Sequence, residues 1–592
     1  MRKLSVLLSL LVLASMVLAA CGGGAATEAP AEPAQPQPTA APAEPEATAA
    51  PTEPPVEHGN LRVNLSTFPD IIDPQKSSFV NEIAHLNKIY EGLTKFNAKL
   101  ETIPGAAESW EFNADGSALT FTLREGLTYS DGSVLNAERF AYSLTRNIDP
   151  ATAGEYAAIT DEIKGAPEWR GCGEDVAVCD AAKAVVVESL KASHADGSAC
   201  SGYDDTACNT FTVTLSKPAP YYPTVLALWV GYPAKQENIE AGGDTWWLDP
   251  ELQIGNGPWI LSELDQGITG KFVSNPNYWE GEPLYDIEFS YITDGAVQFE
   301  AYKNNEFDVI LYGGDDVASI EADPELSAQN VVYAGSCTIA IMFHQLKEPF
   351  TDKKVREAFA YALDRDGWVK DVDSDTSLPT LTWIPPGYPG YKEGETRYGY
   401  DPEKARQALA ESSYGSVEAL PEIDVTFGDS PRNRVRNEWL AAKWKEVFGE
   451  GLKIKINPVE PTTYTALTKD IATSPMVYRL GWCADYPDPQ NWLSVYWKTG
   501  GFGERIGYSN PEFDALVNAA DVELDPAKRA DLYAQAQDLL LDDAAVAMMY
   551  NTKNTYLVKP WVKGWIPSPQ DNSYPGDVEP TSIYIDVASI PQ

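Results

Sequence analysis

The sequence predicts a large α/β protein with mixed sheets, organised in more than one domain or lobe. Its 592 residues are 44% apolar and 11% aromatic, enough to bury a large core in more than one unit. Helix-like and strand-like patterns alternate from about Gly59 to the end of the chain, with no evident internal repeat. Strands interleaved with helices are typical of α/β architectures.

Seven segments carry the clearest helical patterns. Two of them begin with the same device: Asp401 and Asp525 each place a capping carboxylate directly before a first-turn proline. Gly449 ends a third segment in the manner expected of a helix C-terminus. The predicted helices are 80–93, 136–148, 351–364, 401–412, 434–449, 511–521 and 525–542.

Eight segments are predicted to be strands, several because apolar and polar residues alternate, as they do from Thr210 to Leu215. The stretch 165–209 breaks the rhythm of helices and strands and is interpreted as a loop-rich insertion. The predicted strands are Leu119–Arg124, Phe211–Leu215, Ile287–Ile292, Phe307–Leu311, Thr338–Phe343, Ile423–Phe427, Lys453–Asn457 and Met476–Trp482.

The N-terminus is typical of an exported, lipid-anchored protein. Residues 1–20 have a short basic start and an apolar run too short to span a membrane, which predicts a signal peptide. The end of this run resembles the lipobox of bacterial lipoproteins, which implies lipidation of Cys21. Residues 21–58 are rich in Pro, Ala and Glu, so we expect a disordered tether that lifts a folded domain off the membrane.

Charge and motif content exclude several functions. A formal net charge of −43 argues against nucleic acid or anionic membrane surfaces as partners. The four histidines do not form an HExxH pair, and neither a GxSxG elbow nor a phosphate-binding GxxxxGK(S/T) loop is present. The sequence therefore predicts a protein that is not an enzyme and needs no cofactor or metal. A secreted enzyme stays open as the minority alternative, because carboxylates that meet only in the fold leave no local signature.

The cysteines predict disulfide bonds. Six cysteines remain after Cys21, an even number in an exported chain. Four of them cluster in the insertion without CxxC spacing or a histidine pair, which makes a zinc site the weaker interpretation. Of three connectivities for this cluster we favour the two local ones, Cys172 with Cys179 and Cys200 with Cys208.

Six sequence blocks, spread in order along the chain, resemble the oligopeptide-binding and dipeptide-binding proteins of bacterial ABC importers, family 5 of the extracytoplasmic solute-binding proteins. The resemblance covers nearly all of residues 59–592 except the insertion. The last block, RLGWCADYP, resembles the ligand-binding segment of the family. The blocks lie at Gly105–Trp110, Thr120–Gly132, Gly255–Trp259, Asn275–Trp279, Pro349–Asp366 and Arg479–Pro487.

The resemblance implies a two-lobed periplasmic-binding-protein fold of type II, similar to cluster C, with mixed sheets and a hinge between the lobes. The first lobe would comprise residues 59–336 plus 558–592, and the second residues 337–557. The chain would thus cross between the lobes near 336 and near 557, and closure around the hinge would bury a ligand.

Asp485 is the central candidate for ligand binding. The matching aspartate of the family holds the α-ammonium group of a peptide, and a carboxylate at the end of the apolar strand Val477–Trp482 could form that charge-assisted hydrogen bond. The alternative is that Asp485 caps the turn Asp485–Pro489. Trp482 could stack on a ligand, or simply pack in the core.

Other candidates follow from the same resemblance. Cys483 would pair with Cys337 and brace the ligand-binding strand, the alternative being two buried thiols. Arg479 would receive the carboxylate of short peptides, although a surface ion pair is nearly as good an interpretation. Lys469 is a weaker candidate for longer peptides, because its spacing from Arg479 departs from the family pattern. Tyr156 and Tyr312 would contact the ligand from the first lobe, or lie in the core.

The function implied is that of a substrate-binding lipoprotein, which captures peptides between two lobes and delivers them to the membrane permease of an ABC importer. We expect a monomer that is extracytoplasmic, in the periplasm or on the outer face of the cell membrane, and that contacts the membrane only through its lipid. An alternative is the same scaffold binding another solute such as an oligosaccharide, since abundant Tyr and Trp are compatible with sugar stacking.

Overall fold

The structure is a computed structural model that describes residues 58–591. The predicted signal peptide, Cys21 and all but the last residue of the predicted tether lie outside the described residues. Within 58–591, no helix combines the length and the apolar character needed to cross a bilayer.

Seventeen α-helices lie within residues 58–591, and all seven predicted helices are among them to within a few residues. Both predicted capping carboxylates accept backbone N–H hydrogen bonds, Asp401 from Glu403 and Lys404, and Asp525 from Ala527 and Lys528. The helices are α1 Val80–Ile89, α2 Ala137–Ile148, α3 Ala166–Arg170, α4 Val176–Ser189, α5 Tyr222–Val225, α6 Gln236–Gly242, α7 Gly295–Lys303, α8 Val317–Ala322, α9 Pro324–Ala328, α10 Lys353–Tyr361, α11 Arg365–Asp371, α12 Pro402–Glu411, α13 Pro431–Phe448, α14 Pro461–Leu467, α15 Pro489–Trp497, α16 Pro511–Val522 and α17 Pro526–Asp542.

Nineteen strands lie in the same range and include all eight predicted ones, most of them with bounds shifted by one or two residues. The strands are β1 Gly59–Asn64, β2 Thr94–Phe96, β3 Thr102–Pro104, β4 Ala107–Phe112, β5 Ala118–Leu123, β6 Leu190–Ser193, β7 Thr210–Thr214, β8 Trp259–Asp265, β9 Thr269–Ser274, β10 Tyr285–Ser290, β11 Val309–Leu311, β12 Asn330–Phe343, β13 Ser377–Pro379, β14 Ile423–Gly428, β15 Ile454–Val459, β16 Val477–Cys483, β17 Val546–Val558, β18 Val562–Lys563 and β19 Tyr584–Ile585.

The largest sheet has eleven strands and mixes parallel with antiparallel pairs, which confirms the predicted α/β class. Its order is β15-β14-β16-β12-β17-β11-β1-β10-β9-β8, with β13 paired to β17. The pairs β1 with β10 and β14 with β15 are parallel, whereas β12 pairs antiparallel with both β16 and β17. A separate sheet of four strands has the order β4-β5-β7-β6.

The central strands are covered on both faces. Along β12, Ile341 and Phe343 belong to one buried cluster, whereas Ala340 and Met342 belong to another. Successive side chains of a strand point to opposite faces, so the two clusters lie on the two sides of the sheet. This explains the continuous apolar run IAIMF in the sequence, because a strand buried on both faces has no polar side.

The strands β12 and β17 connect two halves of the large sheet. Residues 330–334 pair with 553–557 beside β11, whereas residues 338–342 pair with 546–551 beside β16. The pairing is interrupted between Ala334 and Thr338. A third buried cluster, the largest, draws its members from the ranges 61–309 and 556–585 and also includes Tyr486.

The insertion at 165–209 differs from the loop-rich segment that we expected from the sequence. It contains the helix α4 of 14 residues, and its strand β6 pairs antiparallel with β7 at the edge of the four-stranded sheet. The Asp175 side chain caps the N-terminus of this helix, and its four alanines favour the helical state, whereas its five valines do not. Two disulfides, Cys172–Cys179 and Cys200–Cys208, lie at its ends, in the pairing favoured from the sequence.

Candidate ligand-binding site

The segment Gly481 to Asp485 ends a strand in the middle of the large sheet. Strand β16 pairs antiparallel with β12, so that Trp482 lies opposite Thr338 and Cys483 opposite Cys337. A side chain at Gly481 would place its Cβ 2.5 Å from the Thr338 carbonyl oxygen, so this position requires glycine. Because β16 ends at Cys483, Asp485 lies just beyond the strand.

A disulfide bond joins Cys337 to Cys483 across the two paired strands. It is the pairing that the family resemblance implies. Both cysteines line the same cavity as Asp485. The bond therefore fixes the end of β16 to β12 one residue away from Ala484, which limits how far the Asp485 backbone can move.

The Asp485 carboxylate is held by two side chains from distant parts of the chain. Its Oδ1 accepts a hydrogen bond from the Tyr156 hydroxyl, and its Oδ2 accepts one from Asn491 Nδ2 at 2.8 Å. Asn491 also accepts the Asp485 backbone N–H at 3.2 Å through its Oδ1. The turn that follows is capped by Asp488, which accepts the Gln490 N–H at 2.8 Å. The Asp485 side chain thus makes no capping contact with that turn.

The environment of Asp485 disfavours its charge. The side chain keeps some exposure to the cavity, but protein surrounds most of it, and this burial raises the pKa of the carboxyl above its ordinary value. The hydrogen bonds from Tyr156 and Asn491 act in the opposite direction and are outweighed. No residue within 58–591 forms an ion pair with Asp485, so its charge lacks a cation.

Asp485 opens into a cavity of about 430 Å³, within the roughly 300–1,000 Å³ typical of small-molecule sites. The wall comes from residues between Ser78 and Tyr278, from the strands β11, β12, β16 and β17 with the two residues that follow β16, and from a C-terminal segment, 570–580. Aromatic rings, including Tyr156, Trp229 and Tyr556, contribute much of the lining.

The charged groups of this cavity are mostly acidic. Among the described residues that line it, four carry carboxylates and one, Lys95, carries an ammonium group. Lys95 is itself paired with Glu91 at 3.5 Å and with Glu280 at 2.6 Å. A cavity with this charge distribution favours cationic groups over anionic ones. The four carboxylates are Glu91, Asp485, Asp571 and Asp577.

Trp482 is half-buried and is not among the residues that line this cavity. Its indole Nε1 donates a hydrogen bond to Asn491 Oδ1 at 3.0 Å, so it supports the residue that holds Asp485. Its ring lies 5.3 Å from the Tyr496 ring and 5.0 Å from the Phe502 ring, centroid to centroid. Trp482 thus belongs to an aromatic cluster with Tyr496 and Phe502. That it stacks on a ligand stays a prediction.

Arg479 and Lys469 lie apart from Asp485. The Arg479 guanidinium donates to the Tyr550 hydroxyl at 2.9 Å and to Asn433 Oδ1 at 3.4 Å, and it forms no ion pair with any residue in 58–591. It therefore has charge available for an anion, although it does not line the 430 Å³ cavity. Lys469 is exposed and lines a second cavity with Phe502.

The two tyrosines predicted to contact a ligand are placed differently. Tyr156 lines the cavity and reaches Asp485. Tyr312 is buried in a small cluster with Tyr302 and Ile310, and its hydroxyl donates to Asn330 Oδ1 at 2.7 Å. Its neighbour Leu311 lines the cavity instead.

One group of side chains in the insertion has the composition of a metal site. His194, Cys200 and Asp205 approach one another, but the Cys200 sulfur is bonded to Cys208. His194 Nε2 lies 2.8 Å from Asp205 Oδ2, and His194 Nδ1 lies 2.8 Å from the Ser198 hydroxyl. These contacts stabilise the loop and leave the histidine nitrogens occupied.

Sequence reasoning missed Asn491 and the acidic residues Glu91, Asp571 and Asp577. Asn491 is fully buried within α15, where Gln490 and Ser494 are buried polar residues too, so no local signal singled it out. The carboxylates lie in segments remote from Asp485 in sequence, and their convergence is visible only in the fold.

Comparison with known proteins identifies the family of the chain. A family model described as bacterial extracellular solute-binding proteins, family 5 Middle, matches residues 101–504. The periplasmic oligopeptide-binding protein OppA of Salmonella typhimurium is 29% identical over 520 residues, covering 85% of this chain and 89% of that protein. The dipeptide-binding protein DppE of Bacillus subtilis is 26% identical over 525 residues, covering 86% and 90%.

A solved structure supports the fold. The unliganded open form of the periplasmic murein tripeptide binding protein MppA superposes with a TM-score of 0.74 at 24% identity, covering 90% of this chain and 98% of that one. The architecture is therefore the two-lobed fold of the periplasmic binding proteins, as the sequence predicts.

Proposed function

The chain belongs to family 5 of the bacterial extracellular solute-binding proteins, and from this premise we propose that it captures peptides between its two lobes for delivery to an ABC importer. Membership in a family of solute-binding proteins makes the chain a receptor and not an enzyme. The named relatives bind oligopeptides and dipeptides, which supports a peptide as the ligand here.

The observation that carries the proposal is the carboxylate of Asp485, partly buried and without a cation. Its two hydrogen-bond donors, Tyr156 and Asn491, are neutral. A peptide α-ammonium would supply the missing positive charge and would form a charge-assisted hydrogen bond inside a cavity from which it displaces water. The free amino end of a peptide is therefore the chemical group that this site fits best.

The hinge is proposed at the interrupted pairing of β12 with β17. The lobes would be residues 59–336 plus 558–592 and residues 337–557, as the family resemblance implies. The interruption between Ala334 and Thr338, opposite residues 551–553, lies close to this division and supports a bend there. Tyr156 would then belong to one lobe and Asp485 to the other, so their hydrogen bond is a contact that closure preserves or tightens.

The remaining candidates are assigned by the same proposal. Arg479, which forms no ion pair among the described residues, would take the carboxylate of a short peptide, and Lys469 that of a longer one. The backbone of an extended ligand would be hydrogen-bonded to strand ends beside the Cys337–Cys483 bond, as in strand addition. Tyr312 would affect the ligand only indirectly, by holding in place its neighbour Leu311, which lines the cavity.

We further propose that Cys21 is acylated and that the protein is held at the outer face of a membrane by this lipid alone. A monomer would dock in its closed form on the permease subunits of the importer. The extracellular character of the family and the periplasmic location named for relatives support an extracytoplasmic position.

Mass spectrometry of ligand retained by the purified, undenatured protein tests the proposal. We expect short peptides with free amino ends to be released on denaturation, because closed clefts of this kind hold their ligand. Where purification removes the ligand, titration with tetra-alanine under native spray conditions should give a one-to-one complex. Retention of an oligosaccharide, or failure of peptides of two to nine residues to bind at all, would contradict the proposal.

A further inference from the structure

Asp571 is a second cavity carboxylate that is incompletely paired. It lies in the loop between β18 and β19 and is 9% exposed. Its Oδ2 accepts three hydrogen bonds, from the Tyr333 hydroxyl at 2.7 Å, the Ser568 N–H at 2.8 Å and the Gly576 N–H at 3.0 Å. Its Oδ1 is buried and has no partner among the described residues. Oδ2 is therefore engaged by three protein donors, whereas Oδ1 is the oxygen of Asp571 that still lacks a donor.

The other three cavity carboxylates have partners on both oxygens. Among the four cavity carboxylates, only Asp571 is buried with an oxygen that accepts no hydrogen bond. It therefore differs from the other acidic groups of the wall. The contacts of the others are those of Asp485 with Tyr156 and Asn491, of Glu91 with Tyr278, Trp279 and Lys95, and of Asp577 with Lys88 and the N–H groups of Asn572 and Ser573.

Asp571 lies close to the proposed site of the ligand's amino terminus. The side chain of its neighbour Gln570 donates to the carbonyl oxygen of Ala484 at 3.4 Å, and Ala484 directly precedes Asp485. Both carboxylates line the same cavity. A ligand that places its α-ammonium at Asp485 therefore brings the side chains of its first residues towards Asp571.

We propose that Asp571 is a second cation-binding group of this site, which takes the ammonium or guanidinium of a basic side chain at the first or second residue of the peptide. This inference rests on the proposed function and adds to it a preference for peptides with a basic residue near the amino end. A buried carboxylate oxygen without a donor is costly, and a ligand cation would satisfy it with a charge-assisted hydrogen bond.

The protonation of Asp571 agrees with a missing cation. Burial, followed by the nearby charge of Asp577, raises the pKa of Asp571 to about 8. A bound cation favours the ionised form and lowers this pKa, so a basic peptide should release a proton when it binds near neutral pH. The ionisable groups that interact with Asp571 are Asp577, with Lys88 beside it, and the tyrosines Tyr333, Tyr388, Tyr556 and Tyr574.

The test compares tetra-alanine peptides that carry either lysine or norleucine at the first, second or fourth position. Norleucine keeps the four-carbon chain of lysine and lacks its ammonium group, so the ratio of the two dissociation constants reports on that group. By calorimetry on the full chain we expect lysine to bind at least about ten-fold more tightly at the first or second position, and with no preference at the fourth. Repeating the titration in two buffers of different ionisation enthalpy should reveal proton release for the preferred lysine peptide only.

Three variants separate Asp571 from the rest of the cavity. In Asp571→Asn, which keeps the acceptor for the three donors to Oδ2, the lysine-to-norleucine ratio should fall to about one. Glu91→Gln removes a charge from the same wall and should retain the ratio, and so should Asp485→Asn, which weakens every peptide together. If the ratio fell equally in Glu91→Gln, the preference for lysine would come from the overall negative potential of the cavity. This result would overturn the role of Asp571.

The wild-type protein alone can decide the question if Asp571→Asn fails to fold. Equal affinity for the lysine and norleucine peptides, without proton release, would overturn the inference and leave the proposed function intact. Failure of all these peptides to bind would overturn the proposed function, and the inference with it.

Discussion

Replacing Asp485 by asparagine is expected to weaken the binding of a free-amine peptide by about 2–4 kcal/mol, roughly 30- to 1,000-fold. The change keeps the shape of the side chain and leaves an oxygen to accept one of the hydrogen bonds from Tyr156 and Asn491. What it removes is the negative charge that would pair with the ligand ammonium. Calorimetric titration of the variant with a tetrapeptide measures the effect.

The stability of the empty protein distinguishes this role from a structural one. Because burial raises the pKa of Asp485, its ionised form is disfavoured in the folded state, and this costs stability as the pH rises above the ordinary pKa of an aspartate. A neutral asparagine should therefore leave the thermal midpoint unchanged or slightly higher. Asp531→Asn, the same change at an exposed position of α17, should alter neither affinity nor midpoint. A large fall in stability for the Asp485 variant, with unchanged affinity, would contradict the assignment.

Replacing Lys88 by methionine is expected to lower the free energy of unfolding by about 3–5 kcal/mol. Lys88 lies on α1, and its ammonium meets Asp577 Oδ2 at 3.0 Å, with both side chains at most 3% exposed. Without the lysine, the Asp577 charge stays buried beside Asp571 with only the two backbone N–H donors. Chemical denaturation followed by tryptophan fluorescence measures the change.

Two further variants check the cause of this loss. Adding Asp577→Asn to Lys88→Met removes the unpaired charge and should recover part of the lost stability. Lys455→Met breaks an exposed ion pair with Asp424 and should change stability little, because water screens such pairs. If Lys88→Met and Lys455→Met lowered the free energy of unfolding equally, the buried ion pair would contribute no more to stability than the exposed one.

Local signals in the sequence were sufficient for most regular elements. Helix α17 runs from Pro526 to Asp542 because a capping aspartate, a first-turn proline and an amphipathic pattern agree. The first half of β12 was missed, because residues 330–334 are strand only through pairing with the distant end of β17. The helix in the insertion was missed because the cysteines and glycines around it suggested loops.

The candidate site was predicted only in part, because some of its residues come together only through contacts between distant parts of the chain. Asp485 and Cys483 lie in the motif RLGWCADYP, and the resemblance of this motif to a family, which also implies the pairing with Cys337, supplied what local physics could not. Asn491 and Asp571 reach the site through tertiary packing alone. Nothing in their local sequence says that one holds Asp485 or that the other lines the same cavity.

The most direct test of the central claim is a calorimetric comparison of one tetrapeptide in two forms, with a free amino end and with that end acetylated, on the wild-type protein. If Asp485 holds the α-ammonium, acetylation should remove most of the affinity, by a factor similar to that of Asp485→Asn, and should cause little further loss in that variant. Equal affinity of the wild-type protein for the free and acetylated peptides would contradict the account.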